Sequence, residues 1–245
     1  MKITSIRNTA RLVAAAAIGA TTQANAQSIT NGGFESGMTG WHLADQLGSD
    51  GTFLSQSGAA SPLNAFTVPT PPEGTHAAMT DSAAGGSHAL YQDFTVPAGV
   101  TGATLRFSLF LNNGAETYFN PTTLDWAGTN TNGTLNLNQQ ARVDVITTAG
   151  DVFSVAAADI LMNLFATTSS TPAVMGYTPF ELDLTALLQA HAGETLRLRF
   201  AEVDNVNFFN LGVDNVSLTI VPTPPAGVAA LALLGGLARR RRPAR

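Results

Sequence analysis

The sequence contains no cysteine. This excludes disulfide staples, thiolate nucleophiles and cysteine-ligated zinc or iron–sulfur centres, and leaves core burial, with or without a bound metal, to stabilise the fold. Charge is scarce as well: 12% of residues are charged against 44% apolar, a balance that argues for a packed core rather than an acidic disordered chain. Catalytic signatures are missing. There is no G-x-S-x-G elbow, no H-E-x-x-H helix and no G-x-x-x-x-G-K phosphate loop, and Gly85-Gly86-Ser87-His88 lacks the flanks such a loop requires. His42, His76, His88 and His191 lack metal-ligand spacing and read as surface or satisfied polar residues. With 17 acidic residues no facing pair for glycoside hydrolysis is singled out. A non-enzymatic protein is expected.

What is present is concentrated at the two ends. Residues 1–26 read as a secretory signal peptide: Lys2, Arg7 and Arg11 form a positive n-region, residues 12–20 an apolar h-region, and Ala24-Asn25-Ala26 a cleavage site ahead of Gln27. At the other end, Pro222, Pro224 and Pro225 stop the preceding element, an apolar run covers residues 226–238, and Arg239, Arg240, Arg241 and Arg242 follow. As a helix that run reaches roughly 20 Å, against about 30 Å of bilayer hydrocarbon. It suits transient insertion in the inner membrane, with the arginines held on the cytoplasmic side. A simple tail anchor and a basic tail are the alternatives.

The last 25 residues resemble the PEP-CTERM sorting signal, carried by Val221, Pro222, Thr223 and Pro224, the apolar run, and Arg239 to Arg242. Thr223 stands where the glutamate of Val-Pro-Glu-Pro usually sits. The resemblance implies recognition and cleavage by an exosortase-type membrane protease, with delivery to the cell surface or an exopolysaccharide matrix. The expected organisation is therefore a signal peptide over 1–26, one domain over 27–221 and a sorting tail over 222–245.

Within 27–221 only Arg106, Arg142, Arg197 and Arg199 are basic, against all 17 acidic residues, a net charge of −13. Nucleic acid is excluded as a partner, since phosphate binding needs clustered Lys and Arg. Divalent cations fit such a surface better.

Apolar residues in this domain recur with period two. Leu105, Phe107, Leu109 and Leu111 alternate with Thr104, Arg106, Ser108 and the apolar exception Phe110, and Leu196, Leu198 and Phe200 alternate with Arg197 and Arg199. Further strands are predicted over 88–96, 142–148, 152–155, 180–184 and 212–221, separated by Gly, Pro and Asn turns. Helices are predicted only over 156–165 and 185–190. The pattern predicts an all-β antiparallel two-sheet sandwich.

Asn31-Gly-Gly-Phe-Glu-Ser-Gly37 followed by Trp41, the closing segment Leu211-Gly-Val-Asp-Asn-Val-Ser-Leu218, and the paired strands 88–96 and 105–111 between them are similar to galactose-binding-like jelly rolls, a superfamily with many carbohydrate-binding modules. The resemblance implies a jelly roll whose first and last strands meet, and a structural calcium at their junction with Glu35, Glu73 (in the segment Glu73-Gly-Thr-His76) and Asp214 as ligands. The residues themselves support part of this. With period two, Asp214 shares a face with Val216, Leu218 and Ile220, and an inward carboxylate needs a cation, donors or a bulge that turns it out. Capping and turn roles for these acids are the alternative.

Residues 112–140 form a long connection rich in Asn, Thr and Gly that carries Tyr118, Phe119 and Trp126. Such rings stack on pyranoses when exposed, or pack the loop onto the sandwich when buried. Trp41 reads as a core plug. The leading expectation is an exported surface or matrix protein that binds extracellular polysaccharide through a calcium-stabilised jelly roll. A purely structural matrix component is the alternative, and a glycan-active enzyme a distant one.

Overall fold

The computed structural model describes residues 26–223. In chain order the elements are β1 (Ala26–Gln27), β2 (His42–Asp45), β3 (Thr52–Ser57), β4 (His76–Asp81), β5 (Gly86–Thr95), β6 (Val100–Asn113), β7 (Gln139–Thr147), β8 (Ile160–Ala166), β9 (Val174–Asp183), α1 (Thr185–Ala190), β10 (Thr195–Asp204) and β11 (Phe209–Pro222). One sheet runs β3-β4-β11-β6-β9 with β1 added on β11, and the other runs β2-β5-β10-β7-β8. All pairings are antiparallel. From β4 to β7, and again from β9 to β11, successive strands alternate between the sheets, so each connection crosses the core in jelly-roll fashion.

The period-two rows build that core. Leu105, Phe107, Leu109 and Leu111 of β6 meet Leu196, Leu198 and Phe200 of β10 in one buried cluster, with Phe107 edge-on to Phe200 at 5.6 Å. Trp41 joins them, 6% exposed and stacked on Phe34 at 5.2 Å. Phe110 breaks the alternation because the outer face of its sheet is also covered: it packs with Met79, Val68 and Tyr177. The helix predicted over 185–190 is present as α1, and it seats Leu188 in the core.

Two predicted elements are corrected. Residues 156–165 are not a helix. The Ala156 carbonyl accepts from the amides of Asp159 and Ile160, a single turn, after which β8 pairs along β7 from Ile160 opposite Ile146 to Ala166 opposite Arg142. A free sheet edge offers this segment a full ladder, and tertiary pairing overrides its alanine-rich helix propensity. Residues 152–155 are not a strand either. Their carbonyls are taken by a side chain: Arg199 Nη1 donates to Val152 O at 2.5 Å and Ser154 O at 2.8 Å, and Val152, Phe153 and Val155 cover the outer face of β10. The short strands β2, β3 and β4 were not predicted.

Of the proposed sorting residues, Val221 and Pro222 close β11, one residue beyond the expected domain end and after a register shift between them, and the Thr223 amide donates to Gly99 O. Pro224, Arg239, Arg240, Arg241 and Arg242 lie outside the described residues, as does the signal peptide up to Asn25. Among the described residues no helix is long and apolar enough to cross a membrane.

Candidate functional site

The opening loop and the last strand lock together around glycine. A Cβ on Gly32 would lie 1.7 Å from Val216 O, so only glycine permits the contact in which Val216 N donates to Gly32 O at 2.9 Å. Asn31 and Phe34 hold left-handed φ values of 51° and 55°. Asn31 compensates by donating to Gly37 O and Thr39 O, accepting from Ser36 N, and receiving the Trp41 indole N–H on its carbonyl. Opposite this loop β11 bulges between Asp214 and Ser217, with Asn215 at φ 56°.

That bulge corrects the expected direction of Asp214. Leu211 and Val213 face the core before it, and Val216, Leu218 and Ile220 face the core after it, so the phase slips by one residue and Asp214 turns to the other face. There it is fully buried: Oδ1 accepts from Asn215 N at 2.7 Å and Oδ2 from Glu73 N at 3.1 Å. Glu35 accepts from Thr75 N, His76 N and the Thr75 hydroxyl at 2.8 to 2.9 Å, and these donors, led by the Thr75 amide, hold its carboxyl down at about 2. Gly74, at φ +56°, has no Cβ to strike Glu35 Oε1 2.3 Å away, and Gly33 leaves room for the Glu73 carboxylate. Glu35, Glu73 and Asp214 thus meet at one junction.

Burial, aided by the charges of Glu73 and Glu35, pushes Asp214 up to about 6. The folded state therefore keeps a proton that the unfolded chain, with an Asp value of about 3.9, has released. Without a cation, charged Asp214 costs stability above that folded value, and the cost disappears as pH falls toward the unfolded one. In chelator, Asp214→Asn is expected to melt above the parent protein at pH 7, with the gap closing by about pH 4. A gap that is constant with pH would contradict this.

The loop aromatics do not share one platform. Tyr118 is 6% exposed, packs edge-on to Phe209 at 5.7 Å and donates its hydroxyl to Pro172 O. Phe119 is half-buried and bridges by backbone to Gln139. Trp126 packs on Leu124, Ala89, Ala201 and Val203, with its amide donating to Ser87 Oγ and its carbonyl accepting from Asn205 Nδ2. A ring pair with more exposure lies elsewhere, with Phe66 exposed and Phe208 half-buried. Phe66 and Phe208 sit 4.7 Å apart and line a cleft of about 410 Å³ whose wall includes Asn64, Ser82, Asp204 and Asn207. Phe208 lies on Gly114, where a Cβ would approach within 2.4 Å.

Beneath that cleft is a cluster that sequence reasoning missed. His88 on β5, and Glu202 and Asp204 on β10, continue the inward rows of Leu90 and of Leu198 and Phe200, and each is at most 2% exposed. Among the described residues, only this trio brings its ligand atoms within 4.8 Å of one another; Glu35, Glu73 and Asp214 are not drawn together to that degree. Burial, with the charge of Asp204, pushes Glu202 well above the carboxylate range, and burial pushes Asp204 up to about 6. The signal was legible in sequence: running the alternation on from Phe200 places two carboxylates inside. The expectation that each histidine is a surface or satisfied residue fails at His88, whose Nε2 is buried without a partner.

No protein-family model and no curated protein matches the chain. Several solved structures are similar in fold. TmCBM61 in complex with beta-1,4-galactotriose is 13% identical, with a TM-score of 0.43 over 79% of this chain and 97% of that one. An apo cyclase from Fischerella sp. is 17% identical, with a TM-score of 0.47 over 82% and 98%. The enzymatically active domain of tailspike protein 4 of bacteriophage CBA120 is 13% identical, with a TM-score of 0.43 over 80% of this chain and 21% of that one. The expectation of a non-enzymatic protein is thereby corrected, because cyclases and an enzymatically active tailspike domain stand among the similar structures.

Proposed function

We propose that this chain is an exported surface or matrix protein whose sandwich binds extracellular glycan in the Phe66–Phe208 cleft and is stabilised by calcium at the Glu35, Glu73 and Asp214 junction. The observation that carries the binding assignment is the cleft itself. Two exposed or half-exposed rings at 4.7 Å offer apolar faces for pyranose stacking, beside a wall of amide, hydroxyl and carboxylate groups that suit sugar hydroxyls. Tyr118 and Trp126, which are packed against the sandwich, are assigned to holding the long loop in place. The donor set at the junction supports calcium: it is all oxygen and triply acidic, with one carboxylate held ionised at the surface and one buried. Export, transient membrane insertion and exosortase processing rest on the sequence of the two ends.

The test is retention of the purified protein on a polysaccharide panel. Phe66→Ala and Phe208→Ala are each expected to weaken binding about threefold to tenfold, the effect of losing roughly 0.5–1.5 kcal/mol of ring contact. Retention unchanged in both variants would remove the cleft from the proposal, and retention on no glycan would leave a structural matrix role.

A further inference from the structure

The cluster beneath the cleft is short of donors. His88 Nδ1 lies 2.7 Å from Asp45 Oδ1, so its N–H is given to that carboxylate and Nε2 presents a lone pair. Nε2 and Glu202 Oε1 are both buried, and neither has a hydrogen-bond partner. Asp204 is better supplied, accepting from Gly86 N at 2.8 Å and Ser82 Oγ at 3.3 Å. An imidazole lone pair and two carboxyl groups facing one another in the interior are costly unless protons or a cation sit among them. The surroundings are shaped to the imidazole: a Cβ on Gly86 would come within 2.4 Å of Nε2.

We propose that His88 Nε2, Glu202 and Asp204 are the protein ligands of a buried site for a first-row divalent cation of the zinc class. One nitrogen and two carboxylate oxygens form a borderline donor set that suits zinc-class ions better than calcium, which takes oxygen alone. Asp45, half-exposed at the end of β2, holds the imidazole from behind, as the outer-shell carboxylates of metal-bound histidines do. Asp204 also lines the cleft, which gives the ion a way in and leaves a coordination position for water. The site is separate from the Glu35 junction and shares Asp204 with the wall of the cleft.

The test uses the intact purified protein, stripped with chelator, loaded with zinc and desalted, with metal content read by mass spectrometry and affinity by competition with a chromophoric chelator. About one zinc per chain is expected to remain. Glu202→Gln and His88→Gln should each weaken retention tenfold or more, Asp45→Asn should weaken it about 10–100-fold, and Glu181→Gln, an exposed carboxylate paired with Arg106 on the other sheet, should leave it unchanged. Glu202→Gln keeps the shape while removing an ionisable ligand, so its circular dichroism is expected to match the parent and it carries the test if His88→Gln does not fold. No zinc retained by the parent protein would overturn the proposal and leave the trio sharing protons; full retention in Glu202→Gln, or loss in Glu181→Gln, would also overturn it.

Discussion

Asp144→Ala is expected to lower folding stability by about 3–5 kcal/mol, because it strands a buried guanidinium. Asp144 and Arg199 are both fully buried on the outer face of the five-stranded sheet. Asp144 accepts from Arg199 Nη2, from Arg142 Nε and Nη2 at 2.7 and 2.8 Å, and from Asn163 Nδ2 at 2.8 Å. Burial alone would raise the Asp144 carboxyl, but the Arg142 hydrogen bonds and the charges of Arg199 and Arg142 outweigh it and leave it lowered. Its contribution is therefore complete above the unfolded carboxylate value and is lost as pH falls through the lower folded one. The deficit of the variant should accordingly be full at pH 7 and shrink in acid. Arg199 also holds Val152 O and Ser154 O, so loss of its counter-charge loosens the loop that covers β10. Urea denaturation midpoints measure the deficit. The double variant Asp144→Leu with Arg199→Met should recover much of it, since an apolar pair carries no unpaired charge. A single-variant loss below about 1 kcal/mol would show that water reaches Arg199.

Chelation of calcium is expected to lower the melting midpoint by about 5–10 °C, from roughly 2.7 kcal/mol of linkage at a hundredfold excess over Kd and about 2–4 °C per kcal/mol for a domain of this size. The physical source is the repulsion that a cation relieves: Glu35 is held ionised by its amide donors while Asp214 is buried beside it and Glu73. Glu73→Gln and Asp214→Asn should lose the response, and Glu202→Gln should keep it, which separates this junction from the cluster under the cleft. A parent midpoint indifferent to calcium would rule out a stabilising ion there.

The sandwich was legible because its central strands are amphipathic in the simplest way. Leu105 to Leu111 and Leu196 to Phe200 keep period two, and both rows lie in the core. What could not be read depended on distant partners. Phe110 violates the alternation only because Tyr177 and Met79 cover its face, and Arg199 differs from Arg197 only because residues 152–155 fold over it. Asp214 changes face at a bulge that no local residue announces except Asn215, whose type tolerates a left-handed φ. The Phe66–Phe208 pair joins two loops far apart in sequence. The His88, Glu202 and Asp204 cluster is different: its inward phase is written in the strands, where the period-two rows run on from apolar into polar residues.

The position of β11, flanked by β4 and β6 while also carrying β1, governs how the chain matures. The last of the described strands to be synthesised is the one that zips the larger sheet shut. Until it arrives, β4 and β6 each keep a bare ladder able to recruit the wrong neighbour, and the contacts that close the sheet are non-local. A product lacking β11 would be not a shorter version of this molecule but an open, sticky part of it.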